Sequence, residues 1–132
     1  MTKVVRTDND LVNVWPKVLA EHASESEIEL QLMIPSDLDY FNGHFPDAPI
    51  LAGVVQLHWA VEYSKQHFLL TQVEVKNIEV LKFQVVIVPG QNLTLTLVKK
   101  AANKVLFSYA SDKGQHASGR IVFEDRVIEE CL

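Results

Sequence analysis

The stretch Asn42-Gly43-His44-Phe45-Pro46-Asp47-Ala48-Pro49-Ile50-Leu51-Ala52-Gly53-Val54-Val55-Gln56-Leu57-His58-Trp59-Ala60 decides how this chain folds. Its first half is a loop framed by two prolines. Each proline fixes its own φ and pushes the residue before it toward extended geometry. The loop is therefore stiff, and His44 sits at its start. Beyond Pro49 the pattern becomes apolar nearly all round, through Val54, Val55, Leu57, Trp59, Ala60 and Val61. It turns polar at Ser64, Lys65, Gln66 and His67. One long helix is expected from about Ala52 to about Leu69, its first half wrapped by other structure.

The chain on either side reads as strand. Upstream, Lys17 to Ala23 and Glu27 to Ile34 flank the turn Ser24-Glu25-Ser26. Ile28, Leu30 and Leu32 alternate with Glu29 and Gln31, the period of a half-buried strand. Pro35-Ser36-Asp37 breaks that run. The residues before about Pro16 are expected to hold a short helix or an irregular arm. Downstream, a β-branched run from Ile78 to Val88 ends in Pro89-Gly90, a pair suited to a type II turn. Leu93, Leu95 and Leu97 alternate with Thr94 and Thr96. Val105 to Ala110, the turn Ser111-Asp112-Lys113-Gly114 and Gln115 to Phe123 complete the series. Strands, one buried helix and then a meander of strands predict an α+β fold, an antiparallel sheet curled around a single central helix.

Bulk properties narrow the function. A chain of 132 residues with 48% hydrophobic and 22% charged residues fits one soluble domain spanning 1–132. Its 12 Lys and Arg against 17 Asp and Glu leave a formal net charge of -5, which argues against a nucleic-acid partner. The single cysteine, Cys131, cannot form an internal disulfide. The most apolar segment, Ala48 to Val61, is too short to span a bilayer, so a cytoplasmic protein away from membranes is expected.

Chemistry concentrates between His44 and Glu62. An imidazole on a rigid loop is a natural general base near neutral pH. Gly53 falls at the expected helix start, where the first N–H groups lack internal partners and lie at the positive end of the dipole. A glycine there lets a substrate oxygen approach the backbone closely. Such N–H groups suit a thioester carbonyl, whose polarisation acidifies the adjacent C–H for His44 to remove. His58 and Glu62, spaced i and i+4, share one helix face and offer a second acid–base group. His58 also reads as a core histidine, and Glu62 as the point where the helix leaves the core. His22, His67 and His116 have no motif around them and are read as surface residues. Trp15, Trp59 and Phe83 read as core or as the lining of a substrate tunnel. The spacings of His44, His58 and Glu62 match no metal-ligand pattern, and neither metal nor cofactor is expected.

Gly43-His44-Phe45-Pro46, followed by Pro49-Ile50-Leu51-Ala52-Gly53-Val54, resembles the signature of the 3-hydroxyacyl-acyl carrier protein dehydratases. Lys82-Phe83-Gln84-Val85-Val86-Ile87-Val88-Pro89-Gly90-Gln91 is similar to that family's strand and turn after the helix. The resemblance runs from about Pro35 to Phe123. It implies a hot-dog fold, a homodimer or trimer of dimers, and an acyl tunnel to which Phe45, Val54 and Phe83 contribute. It also implies a thioester substrate carried by acyl carrier protein or coenzyme A, in a site shared between protomers. The family's helix acid, fourteen residues after the loop histidine, is replaced by His58. Glu62 stands where the family usually has Gln, Asp47 where it has Gly, and Ala52 where it has Pro. This pattern resembles a dehydratase-like branch of aryl-polyene type. The implied activity is removal of water from a 3-hydroxyacyl thioester to give the 2-enoyl thioester. A hot-dog thioesterase using Glu62 or Asp47, or a non-catalytic acyl-binding subunit, are the alternatives.

Overall fold

The computed structural model describes residues 14–41 and 49–124. His44, Phe45 and Asp47, and nearly all of the expected N-terminal arm, lie outside them. Strands β1 (Lys17–Ala23) and β2 (Glu27–Met33) are followed by a 3-10 turn (Asp39–Phe41) and helix α1 (Gly53–His67). Then come β3 (Val75–Phe83), β4 (Asn92–Ala101), β5 (Lys104–Ser111) and β6 (Gly114–Phe123). The six strands form one sheet in the order β1-β2-β4-β5-β6-β3, antiparallel throughout. No helix among the described residues is long and apolar enough to cross a membrane.

The register explains the core. Ile28 pairs with Leu97, Leu30 with Leu95 and Leu32 with Leu93, so the apolar positions of β2 and β4 share one face. β5 continues the layer, with Phe107 opposite Leu97 and Tyr109 opposite Leu95. β6 adds Ile121 opposite Val105 and Ala117 opposite Tyr109. All of these residues are buried. On the other face Thr94 donates to Gln31 at 3.0 Å, as expected of a polar cross-strand pair. Helix α1 lies on the apolar face and buries Val55, Trp59 and Ala60 against it. Trp59 has no exposed surface, and its indole N–H donates to the Val14 carbonyl at 2.9 Å. A side chain of that size contributes on the order of 1.5–3 kcal/mol by burial.

Two expectations need adjustment. The first half of α1 is not covered on every side in the single chain: Val54 is 74% exposed. The run Ile78 to Val88 is also not one strand, because β3 begins at Val75 and ends at Phe83. Beyond Phe83 the backbone bonds go elsewhere. Gln84 and Val85 N–H both point to the His116 carbonyl (2.8 and 3.3 Å), and the Ile87 carbonyl accepts from Leu51 at 2.7 Å. β-Branched side chains favour extended backbone but do not choose its partner. Pro89-Gly90 does make the expected turn, with Gly90 at φ 82° and Gln91 N–H on the Val88 carbonyl at 3.3 Å. β3 is a sheet edge and carries a bulge between Glu79 and Lys82, with Val80 at φ 46°. A β-branched residue in that region is strained.

The helix ends on a second strained residue. Leu69 has φ 60°, and the next N–H, of Leu70, reaches back to the Lys65 carbonyl at 2.8 Å, a Schellman closure normally built on glycine. Leu70 is buried, whereas Leu69 is 77% exposed. The leucine at 69 thus carries the left-handed penalty of about 1–2 kcal/mol with little packing in return. Leu69→Gly is expected to stabilise the protein by about 0.5–1 kcal/mol, the remainder being offset by glycine's greater freedom when unfolded. Urea denaturation of the two proteins measures this.

Candidate active site at the start of the helix

The entrance to α1 has no side-chain cap. Ala52 occupies the N-cap position, and its carbonyl takes the N–H groups of Val55 (3.1 Å) and Gln56 (3.2 Å). No described residue accepts from the N–H of Gly53 or Val54. A helix start left open in this way is an anion- and carbonyl-binding feature. Leu51 tethers the entrance to the sheet side through its bond to Ile87. A cavity of about 370 Å³ lies between this entrance, with Gly53 and Gln56, and the segment from Phe83 to Val86.

Gly53 is required here for a reason the sequence did not show. A β-carbon at this position would lie 2.6 Å from Cζ and 2.9 Å from Cε2 of Phe83. The Phe83 ring thus rests directly on the helix start, where a substrate oxygen was expected to approach. Phe83 itself is 50% exposed and lines the cavity together with Val86, while Val54, next to Gly53 in the helix, is exposed as well.

His58 and Glu62 do share a face of α1, His58 exposed and Glu62 half-buried. Among the described residues they make no ion pair with each other. The contact of His58 is with the Trp15 ring, whose centroid is 5.5 Å away at an interplanar angle of 31°. Trp15 also meets Tyr63 edge-on at 5.8 Å, so it covers this face of the helix while remaining partly exposed itself. His58 does not face the Gly53 cavity. Gln56, which lines that cavity, and His58 are two residues apart, or roughly 200° around the helix axis. No three His, Cys, Asp or Glu among the described residues come together as a metal site.

His116 corrects the expectation of a surface residue, because it is completely buried. In the β5–β6 register Tyr109 faces Ala117 and Ala110 faces Gln115, leaving His116 as the extra residue of a bulge. The bulge breaks the strand's alternation and turns the imidazole inward. Its Nδ1 lies 3.1 Å from the Val85 carbonyl and 3.2 Å from the Val86 carbonyl, so Nδ1 carries the proton. Nε2 then accepts from the Ser111 hydroxyl at 2.6 Å, which in turn accepts from Lys113 N–H at 3.0 Å. His22 is exposed as read, and His67 is half-buried, within 3.2 Å of the Ser24 carbonyl. No motif marks His116, since a bulge is a property of pairing and not of local sequence.

Beneath the helix, the Tyr109 hydroxyl donates to the Gln56 carbonyl at 2.7 Å. Burial holds this phenol well above its ordinary 10.0, and neighbouring Tyr63 adds in the same direction. Burial raises Tyr63 as well.

Comparison with known proteins now places the chain. Residues 20–120 match the family model described as ApeI-like, ApeI dehydratase. The chain belongs to the ApeI-like dehydratase family. Among solved structures, the dehydratase heterocomplex ApeI:P from Xenorhabdus doucetiae superposes with a TM-score of 0.77 at 28% identity, covering 84% of this chain and 99% of that one. An uncharacterized protein from Erwinia carotovora subsp. atroseptica is 34% identical with a TM-score of 0.72, covering 83% and 96%. The 3-hydroxyacyl-[acyl-carrier-protein] dehydratase FabZ of Streptococcus suis is 27% identical over 93% of this chain and 97% of its own length. These relatives make the fold a hot-dog, with the α1 helix laid against its sheet, and the function dehydratase-like.

Two outcomes follow from this geometry. His116→Phe is expected to destabilise the protein by about 1–3 kcal/mol, because the Val85 and Val86 carbonyls and the Ser111 hydroxyl lose their bonds to a buried imidazole. Urea unfolding measures it, and an unchanged midpoint would show that these His116 bonds add nothing to stability. The folded Tyr109 phenol titrates above its unfolded value, so its contribution is complete below about pH 10 and is lost as pH rises through the folded value. The unfolding free energy of the native protein should therefore fall more steeply above about pH 10 than that of Tyr109→Phe.

Proposed function

We propose that this protein is an enzyme that removes water from a 3-hydroxyacyl thioester carried by acyl carrier protein, giving the 2-enoyl thioester. The observation that carries this reading is the uncapped start of α1 opening on a cavity, in a chain of a dehydratase family. The thioester carbonyl accepts from the N–H groups of Gly53 and Val54, which stabilise the negative charge that develops on its oxygen. His44 takes the proton from C2. The electron pair left behind forms the C2=C3 double bond, the C3–O bond breaks, and His58 delivers a proton to the departing oxygen, which leaves as water. Phe45, Val54 and Phe83 line the path of the acyl chain, and Glu62 stands one turn from His58 to support its charged form.

His58 points away from the cavity of its own chain, so in this mechanism a second chain supplies it. The exposed apolar side chains of Val54, Phe83 and Val86 give that second chain a surface to cover. The second chain is a copy of this one, in a homodimer or a trimer of such dimers. The Xenorhabdus relative is described as a heterocomplex, which makes an unlike chain the outcome to test against.

His44→Ala should lower turnover of a 3-hydroxyacyl thioester by about 10²–10⁴-fold. Its unfolding curve should not change. His58→Gln should remove most activity, whereas His58→Glu should retain more of it by restoring a carboxylic acid donor. Mass spectrometry should find the enoyl thioester with no free thiol. Release of thiol, abolished by Glu62→Gln, would establish a thioesterase instead. Absence of either product, with thioester binding intact, would establish an acyl-binding subunit.

A further inference from the structure

Gln56 is a polar residue in the apolar half of α1, flanked by Val55 and Leu57, and it is only 4% exposed. Its amide is fixed in orientation, since Nε2 donates to the Leu51 carbonyl at 3.0 Å. The other end, Oε1, is buried and has no partner among the described residues. A buried acceptor left unpaired costs on the order of 1–3 kcal/mol, whereas a leucine or methionine here would cost nothing of the kind. The helix position itself is well held, because the Gln56 backbone carbonyl takes the Tyr109 hydroxyl. Gln56 also lines the cavity at the helix start, about 4.5 Å along the axis from Gly53. The lining of a single cavity thus includes the open helix start at Gly53 and, one turn deeper, Gln56 with an acceptor in need of a donor.

We propose that Gln56 Oε1 is a specificity determinant that accepts a hydrogen bond from the bound thioester. The inference rests on the dehydratase reading for the identity of the ligand. A 3-hydroxyacyl pantetheine thioester carries two kinds of donor near its reacting carbons, the 3-hydroxyl and the pantetheine amide N–H. Gly53 and Val54 can serve only an acceptor such as the carbonyl, so the two ends of the cavity read different parts of one ligand. A saturated acyl-coenzyme A lacks the first donor and keeps the second, and a simple S-alkyl thioester of the 3-hydroxy acid keeps the first and lacks the second.

The test is calorimetric binding to the full-length protein in the His44→Ala background, where turnover does not deplete the ligand. Three ligands of equal acyl length are compared: 3-hydroxyacyl-coenzyme A, saturated acyl-coenzyme A, and the 3-hydroxyacyl S-ethyl thioester, which lacks the amide. With Gln56 present, one of the two donors should be worth about 3–10-fold in affinity. Gln56→Met should abolish that preference. If it weakens only the two 3-hydroxyacyl ligands, the hydroxyl is the donor; if it weakens only the two coenzyme A ligands, the amide is. Equal weakening of all three would show that Gln56 merely holds Leu51, and the proposal fails. It also fails if the Gln56 protein does not discriminate among the ligands, a measurement that needs no Gln56 variant to fold. Should a Gln56-dependent preference appear while the protein with His44 intact forms no enoyl product, the dehydratase reading falls and the binding site stands.

Discussion

The rotation of α1 on its sheet fixes everything that matters at the site. Two contacts set it: the fully buried Trp59, tied to Val14, and the Tyr109 hydroxyl on the Gln56 carbonyl. With that rotation given, Gln56 faces the cavity, Val54 faces out, and His58 lies under Trp15. A turn of one residue about the axis, roughly 100°, would exchange these roles. The pairing Leu95–Tyr109–Ala117 beneath the helix is what puts the phenol in place, so the strand register and the site geometry are one constraint.

Where a residue's environment followed from its own neighbours in sequence, the reading was sound. Leucines at every second position of β2 and β4 had to lie on one face, and they do. The apolar run after Pro49 had to be a helix, and it begins at Gly53. Pro89-Gly90 needed a positive φ at the glycine and has it. The reading was incomplete where the environment depends on distant chain. The end of β3 at Phe83 is set by the His116 carbonyl capturing two successive N–H groups, and the inward turn of His116 by a bulge against β5. The His116 carbonyl lies more than thirty residues from the N–H groups it captures, and the bulge against β5, though near in sequence, carries no local motif. At the site, Gly53 and its place at the helix start were legible. That its missing side chain is filled by the Phe83 ring was not.

One group of the exposed apolar residues lies along a single sheet edge. Val80, Leu81, Phe83 and Val86 follow one another along and just past the edge strand β3, beside Val54 at the helix start. An unprotected apolar edge is a hazard that natural sheets blunt or cover. The bulge at Val80 blunts part of it by twisting the strand. The rest of the edge reaches the cavity at the helix start, where Phe83 and Val86 line it.

The bulge at His116 has a consequence for how this protein can change over generations. The imidazole reaches the core from the extra residue of the bulge, where the alternation of β6 breaks. Substitution at 116 therefore leaves an unpaired position in β6, with the Val85 and Val86 carbonyls still turned toward it. Only deletion of a residue restores an even ladder, and deletion pulls the tight turn at Asp112-Lys113 out of step with Gly114, which holds φ at 109°. Losing the histidine gradually is thus closed off from both sides, and lineages that share the bulge should keep a ring nitrogen or its equivalent at this point.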